Sequence, residues 1–174
     1  EGSEFPSFPV RGRLRLSEDA ADFFKDEDAG VSASNRLRGI VLHDILSQVS
    51  NASDLKKAVD YAQMTGNLTA DEARTAFGLL TEALKSVEDR GWFADDVQLM
   101  YNEASLIDTD GEIYRPDRVT VCGGKVVIVD YKFGEHQKKY EKQVRKYMDM
   151  WRRMGYEYVS GFLWYVDALS VVEV

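Results

Sequence analysis

Between Tyr114 and Phe133 the chain reads YRPDRVTVCGGKVVIVDYKF, with Pro116-Asp117 followed, after twelve intervening residues, by Asp130-Tyr131-Lys132. Two carboxylates and an ammonium in that order could hold a hard divalent cation and set a fixed positive charge beside whatever the cation binds, a combination suited to phosphodiester hydrolysis. They meet only if the segment folds back on itself. Val119 and Val121 on one side and Val126 to Val129 on the other flank Gly123-Gly124, which tolerate the positive φ of a tight turn. A hairpin centred there pairs positions whose numbers sum to 247, so Val121 faces Val126, Val119 faces Ile128 and Asp117 faces Asp130. Opposed residues on one face have Cβ atoms about 4.5–5.5 Å apart, and like charges there repel unless a cation lies between them. Lys132, two residues beyond Asp130, points to the same face. Four apolar residues before Asp130 read as a strand buried on both faces, where a lone carboxylate is costly. The competing reading is a surface hairpin with solvated acidic ends.

The elements that must position these groups follow from periodicity. A helix over about Ser34 to Val49 places Leu37, Ile40, Val41, Ile45 and Leu46 at helical spacing, with Ser32 or Ser34 as a cap. His43 shares a face with Gly39, Ile40, Leu46 and Ser47; it is either a core histidine bonded to backbone or a ligand, and Gly39 leaves room for a close approach. Helices over Asp54 to Gln63 and Thr69 to Asp89 follow, the latter opening with a Thr69-x-x-Glu72 capping box. A strand from Val97 to Ile107 carries Val97, Leu99 and Tyr101 on one alternating face and ends in the Asp108-Thr109-Asp110-Gly111 turn signal. That turn sets Glu103 level with 116–118, where it either joins the acidic cluster or pairs with Arg118. Residues 136–154 read as a helix with Tyr140, Val144, Tyr147 and Trp151 as its apolar stripe and Gln143 one turn before Tyr147. Strands at Tyr158 to Tyr165 and Val171 to Val174 close the chain.

Asp117 followed by Asp130-x-Lys132 resembles the PD-(D/E)xK nucleases. Gly39-x-x-x-His43, Glu103 in YNEASLI, and Gln143-x-x-x-Tyr147 in EKQVRKYMDMW are similar to the motifs of the RecB-like or AddA-like exonuclease branch. The resemblance runs from about Ser32 to the last strand. It implies an α/β, restriction-endonuclease-like core, a mixed central sheet flanked by helices in the order αβββαβ. It implies a Mg²⁺-dependent DNA exonuclease, with Mn²⁺ as an alternative ion, in recombination and repair. On this reading His43, Asp117, Asp130 and the Tyr131 carbonyl hold the metal, Lys132 orients the water or stabilises the oxyanion, and Glu103 supports them. Gln143 and Tyr147 position the strand. It further implies a place at the C-terminal end of a longer helicase-nuclease, working with a helicase motor domain and a second nuclease or helicase subunit. Rival readings are a non-catalytic DNA-binding or scaffold domain of this fold and a stand-alone endonuclease.

Composition bounds the rest. The 174 residues, 44% hydrophobic, suffice for one core. Residues 31–174 are expected to form the nuclease domain and residues 1–30 a tail or linker, with a short strand at Val10 to Leu16. Net charge is −8, with a sequence pI near 4.8, so most of the surface should repel a polyanion. The exception is 132–153, locally +5, where Lys138, Lys142, Arg145 and Lys146 are the candidates for contact with a phosphate backbone. No G-x-x-x-x-G-K-[ST] loop occurs, so any ATP hydrolysis would lie outside these residues. Cys122 alone cannot form an intrachain disulfide or the four-cysteine iron-sulfur cluster of some members of the resembled family; it reads as a passive strand residue. A cytoplasmic location is expected, with no membrane-spanning run.

Overall fold

The computed structural model of the protein describes residues 33–95, 99–107 and 111–174. The expected N-terminal tail and its strand lie outside the described residues, as do positions 108–110 of the turn signal. The architecture is the expected α/β one: a five-stranded mixed sheet between two helical layers. Helix α1 spans Ala33–Ser47. A capping box at Asn51 opens a 3₁₀ turn, Ala52–Asp54, which leads into α2, Leu55–Met64. Helix α3, Ala70–Ser86, starts at the expected box, Thr69 accepting from the Glu72 N–H while the Glu72 carboxylate accepts from the Thr69 N–H at 2.8 Å. The strands are β1 Leu99–Asn102, β2 Leu106–Ile107, β3 Ile113–Tyr114, β4 Arg118–Cys122 and β5 Lys125–Lys132. Helix α4, Lys138–Arg153, crosses over to β6, Tyr158–Tyr165, and β7, Ser170–Glu173, completes the chain. Among the described residues no helix is long and apolar enough to cross a membrane.

The main sheet has the order β1-β4-β5-β6-β7, with β5 and β6 parallel and the other neighbours antiparallel. The β4–β5 hairpin takes the register read from its glycines: Val121 opposes Val126, Val119 opposes Ile128 and Arg118 opposes Val129. Gly123 and Gly124 have φ of 56° and 76°, the left-handed turn that other residues disfavour. Cys122, exposed, ends β4 beside that turn.

One expected strand is two. The reading of 97–107 as a continuous strand fails at Glu103, whose φ of 49° bends the chain out of the sheet; β1 stays in the main sheet while β2 pairs with β3 in a separate hairpin. The apolar side of β1 is not a core face either, since Leu99 and Tyr101 are exposed. β1 is an edge strand, and the Trp151 ring of helix α4 lies 6.0 Å from that of Tyr101.

The sheet divides the core in two. Val129, Tyr131, Trp164 and Val166 face α1, α2 and α3, while Val119, Ile128, Leu163 and Tyr165 face α4. On the α4 side the expected stripe of Val144, Tyr147 and Trp151 is buried, with Tyr140 packed against it. Gly161 on β6 makes this contact possible, because a Cβ there would sit 2.5 Å from Val144 Cγ1 and 2.5 Å from Met148 Sδ. Met148 can swing away, but the β-branched Val144 cannot without moving the helix. Gly161→Ala should therefore destabilise the protein by about 1–3 kcal/mol in guanidinium unfolding.

Candidate metal centre

The end of β5, the start of β4, the break after β1 and the middle of α1 meet at one end of the sheet. β5 contributes Asp130 and Lys132, and the others one chemically active group each. Asp117, immediately before β4, is 2% exposed. Its Oδ2 accepts the Tyr131 N–H at 2.6 Å, which ties the first carboxylate to the strand bearing the second. Its Oδ1 accepts from His43 Nε2 at 2.8 Å. The other ring nitrogen of His43, Nδ1, lies 3.5 Å from Glu103 Oε1. The imidazole thus stands between two carboxylates.

Gly39, one turn before His43 on α1, faces the Phe133 side chain, where a Cβ would sit 3.6 Å from Phe133 Cβ, an ordinary van der Waals distance. The Tyr131 ring, packed edge-on to Trp164, meets the imidazole at 5.9 Å between centroids. Glu103 is steered by its own backbone: its left-handed conformation costs on the order of 1 kcal/mol or more, and its N–H is fixed on the Asp117 carbonyl at 3.0 Å. The position level with 116–118 is therefore as expected, but the alternative partner is not. Arg118 turns to the other side of the sheet and donates to Trp92, Val49, Ser50 and Asn102.

His43, Glu103 and Asp117 each offer one ligand atom, all within 4.8 Å of one another. Two carboxylate oxygens and an imidazole nitrogen are a donor set for a divalent cation, so the residues fit one. Asp130 stands outside this trio. It is fully buried, and its Oδ2 is 2.7 Å from Lys132 Nζ, as their i, i+2 spacing on one strand face allows. The ammonium also lies 4.5 Å from the centre of the Tyr140 ring, a cation–π contact that sequence reasoning did not contain. The trio and the Asp130–Lys132 pair are linked through Asp117, hydrogen-bonded to the β5 backbone. Gln143 donates to the Tyr147 hydroxyl at 2.7 Å, and Tyr147 is buried against Tyr114. Lys138, Lys142 and Arg145 are exposed on α4, whereas Lys146 folds onto the Tyr114 ring.

The electrostatics separate the three trio groups. Burial would lower the pKa of His43, but the charge and hydrogen bond of Asp117, aided by Glu103, outweigh it and raise the imidazole to about 9. Burial would raise Asp117; His43, Lys132 and the Tyr131 N–H hold it below its ordinary value instead. Glu103 is raised, chiefly by burial and also by the Asp117 charge, with His43 opposing. Burial lifts the Tyr131 phenol above its usual range against the opposing pull of Arg118.

A family model described as the PD-(D/E)XK nuclease superfamily matches residues 8–172. No curated protein matches the chain.

These charges fix a pH response. A histidine whose pKa is raised on folding stabilises the fold fully below its unfolded value, near 6.5, and that stabilisation is lost as pH rises through the folded value. For the metal-free protein the window is pH 6.5 to about 9, and chemical unfolding should lose up to about 3 kcal/mol across it. A cation that takes His43 as ligand must displace the same proton. Mn²⁺ affinity measured by titration calorimetry should therefore rise about tenfold per pH unit below 9, with about one proton released per ion. An affinity flat in pH would remove His43 from the ligand set.

Proposed function

The chain belongs to the PD-(D/E)XK nuclease superfamily, and from that premise we propose that it is a Mg²⁺-dependent DNA exonuclease domain of the RecB-like or AddA-like kind. The observation that carries the reading is the junction of the His43–Glu103–Asp117 trio with the Asp130–Lys132 pair at one end of the sheet. A divalent cation, when bound, supplies Lewis acidity toward a phosphate and lowers the pKa of water. His43, Glu103 and Asp117 would hold it, with Asp130 and the Tyr131 carbonyl completing the set. Mg²⁺ suits the oxygens, and Mn²⁺ tolerates the imidazole better.

The chain's own residues supply the remaining steps. Lys132 is paired with Asp130 and lies against the Tyr140 ring, so its ammonium can meet the negative charge that develops on a phosphate oxygen or orient the attacking water. Its proton donors need no reorganisation, because the pair is already assembled in a buried setting. Asp117, kept ionised by its neighbours, can hold a cation at neutral pH. Gln143, fixed on Tyr147, presents a polar amide from the helix that also carries the exposed cations Lys138, Lys142 and Arg145. A DNA backbone running along α4 would pass the Lys132 ammonium.

The exonuclease assignment and the motor draw on charge. A chain of net −8 gains little affinity for DNA from its general surface. A helicase motor in the same polypeptide, with a second nuclease or helicase subunit, would deliver the strand and place the activity in recombination and repair.

Asp130→Ala and Lys132→Ala should each reduce Mg²⁺-dependent release of nucleotides from linear DNA by about 10³-fold or more, while both variants still unfold cooperatively. Wild-type rates in both would remove the mechanism. Covalently closed circular DNA should be spared; its cleavage by the wild-type protein would replace the exonuclease assignment with an endonuclease.

A further inference from the structure

Asn102 and Arg118 are cross-strand partners in β1 and β4. In sequence each is the immediate neighbour of a trio carboxylate: Asn102 precedes Glu103, and Arg118 follows Asp117. Their side chains converge on the end of α1, the helix that carries His43. Asn102 Nδ2 donates to the Ser47 carbonyl at 3.1 Å and to the Val49 carbonyl at 3.5 Å. Arg118 Nη1 donates to the Val49 carbonyl at 2.9 Å, and Nη2 to the Ser50 carbonyl at 2.6 Å. The two side chains also hold each other, Nη1 donating to Asn102 Oδ1 at 3.2 Å. Arg118 Nε reaches the Trp92 carbonyl at 2.9 Å, and the Phe93 ring covers the guanidinium at 4.1 Å.

A fully buried guanidinium is costly to desolvate, and these hydrogen bonds all go to uncharged oxygens. What compensates is the place it occupies. The Asn102 amide meets the carbonyl of Ser47, the last residue of α1, which carries partial negative charge and lacks a partner within the helix, while the guanidinium satisfies the Val49 and Ser50 carbonyls of the segment that follows. Stability alone would be served by any C-cap. A glycine or a surface lysine would do it without burying an arginine.

We propose that Asn102 and Arg118 form a positioning clamp for the metal centre, locking the helix that carries His43 to the two chain segments that carry Glu103 and Asp117. The inference rests on the trio's being the metal site. His43 must sit within hydrogen-bond reach of Asp117; Leu42, Ile45 and Leu46 pack α1 into the core by non-directional contacts, which leave its slide along the sheet to be fixed by polar ones. The clamp fixes that slide four residues beyond His43, at Ser47, and six and seven residues beyond it, at Val49 and Ser50. Neither residue touches the cation or the substrate.

The test uses the full chain with Asn102→Leu, Arg118→Lys and Arg118→Met, with His43→Ala and Gly161→Ala as references. The readouts are Mn²⁺ affinity by calorimetry, the visible absorption of bound Co²⁺, and the thermal midpoint without metal. Groups that orient metal ligands typically alter affinity by about 10–100-fold. Asn102→Leu should accordingly weaken Mn²⁺ by about tenfold and change the Co²⁺ spectrum, with Arg118→Lys retaining more affinity than Arg118→Met. Gly161→Ala, which loosens the opposite face of the sheet, should lower the midpoint and leave Mn²⁺ affinity unchanged. If Asn102→Leu and Arg118→Lys lower the midpoint but bind Mn²⁺ and Co²⁺ as wild type does, the pair is a helix cap and the clamp is refuted. Should Arg118→Met not fold, Asn102→Leu alone decides. Wild-type Mn²⁺ affinity in His43→Ala would instead overturn the metal site itself, a result distinct from failure of the clamp.

Discussion

The arrangement of the site depends on the burial of one carboxylate. Asp117 lies at the end of the sheet, 2% exposed, and each of its oxygens is committed to a different part of the chain: one to the β5 backbone, the other to an imidazole on α1. A carboxylate out of water is tolerated only with such partners. Helix and hairpin are therefore brought together by a charge that neither could bury alone. Glu103 enters through the same residue, its backbone N–H on the Asp117 carbonyl. Removing this carboxylate would leave an imidazole and a second carboxylate without the group that sets their distance.

Much of this was legible because it is local. The hairpin register follows from two glycines that take positive φ and from the alternation of valines on either side, so the pairing from 118 with 129 to 121 with 126 needs no information from elsewhere in the chain. The Thr69–Glu72 box and the stripe of α4 are equally short-range. What escaped was set by contacts across the sheet. Glu103 reads as one more position in an alternating strand, and nothing adjacent reveals that it takes a left-handed conformation. Leu99 and Tyr101 read as one apolar strand face, yet the edge position of β1 leaves them exposed. The role of Arg118 was obscured by a nearer candidate, Glu103. The available signal was an arginine within a run of valines and threonine on a buried strand, a place that demands multiple acceptors.

The three trio groups are held in different electrostatic states by their surroundings. Asp117 is pushed toward the ionised form, Glu103 toward the protonated form, and His43 toward the cation. Divergent environments for neighbouring titratable groups are characteristic of functional sites rather than of solvated hairpin ends. Without a metal, the imidazolium does for the two carboxylates what a divalent ion would do with it, supplying the positive charge between them. The fold therefore tolerates the cluster before any cation arrives, and the proton on His43 occupies the electrostatic role that the ion would take over.

Placement at the end of the sheet, rather than on a face, reconciles the two sides of the molecule. The core under α1 to α3 delivers His43 and holds Tyr131; the core under α4 delivers the Tyr140 ring that Lys132 lies against. Strand alternation alone cannot bring Asp117, Lys132 and an imidazole to one point, since β5 sends Asp130 and Lys132 to the α4 side and Tyr131 to the other. The strand end relaxes that constraint: the backbone N–H of Tyr131 and the carboxylate of Asp117 bridge the two faces where the ladder stops. A polyanion lying along α4 would pass close to the Lys132 ammonium, which packs against Tyr140 of that helix. That placement suits a chain of net charge −8, because 132–153, locally +5, includes the helix that leads to the site.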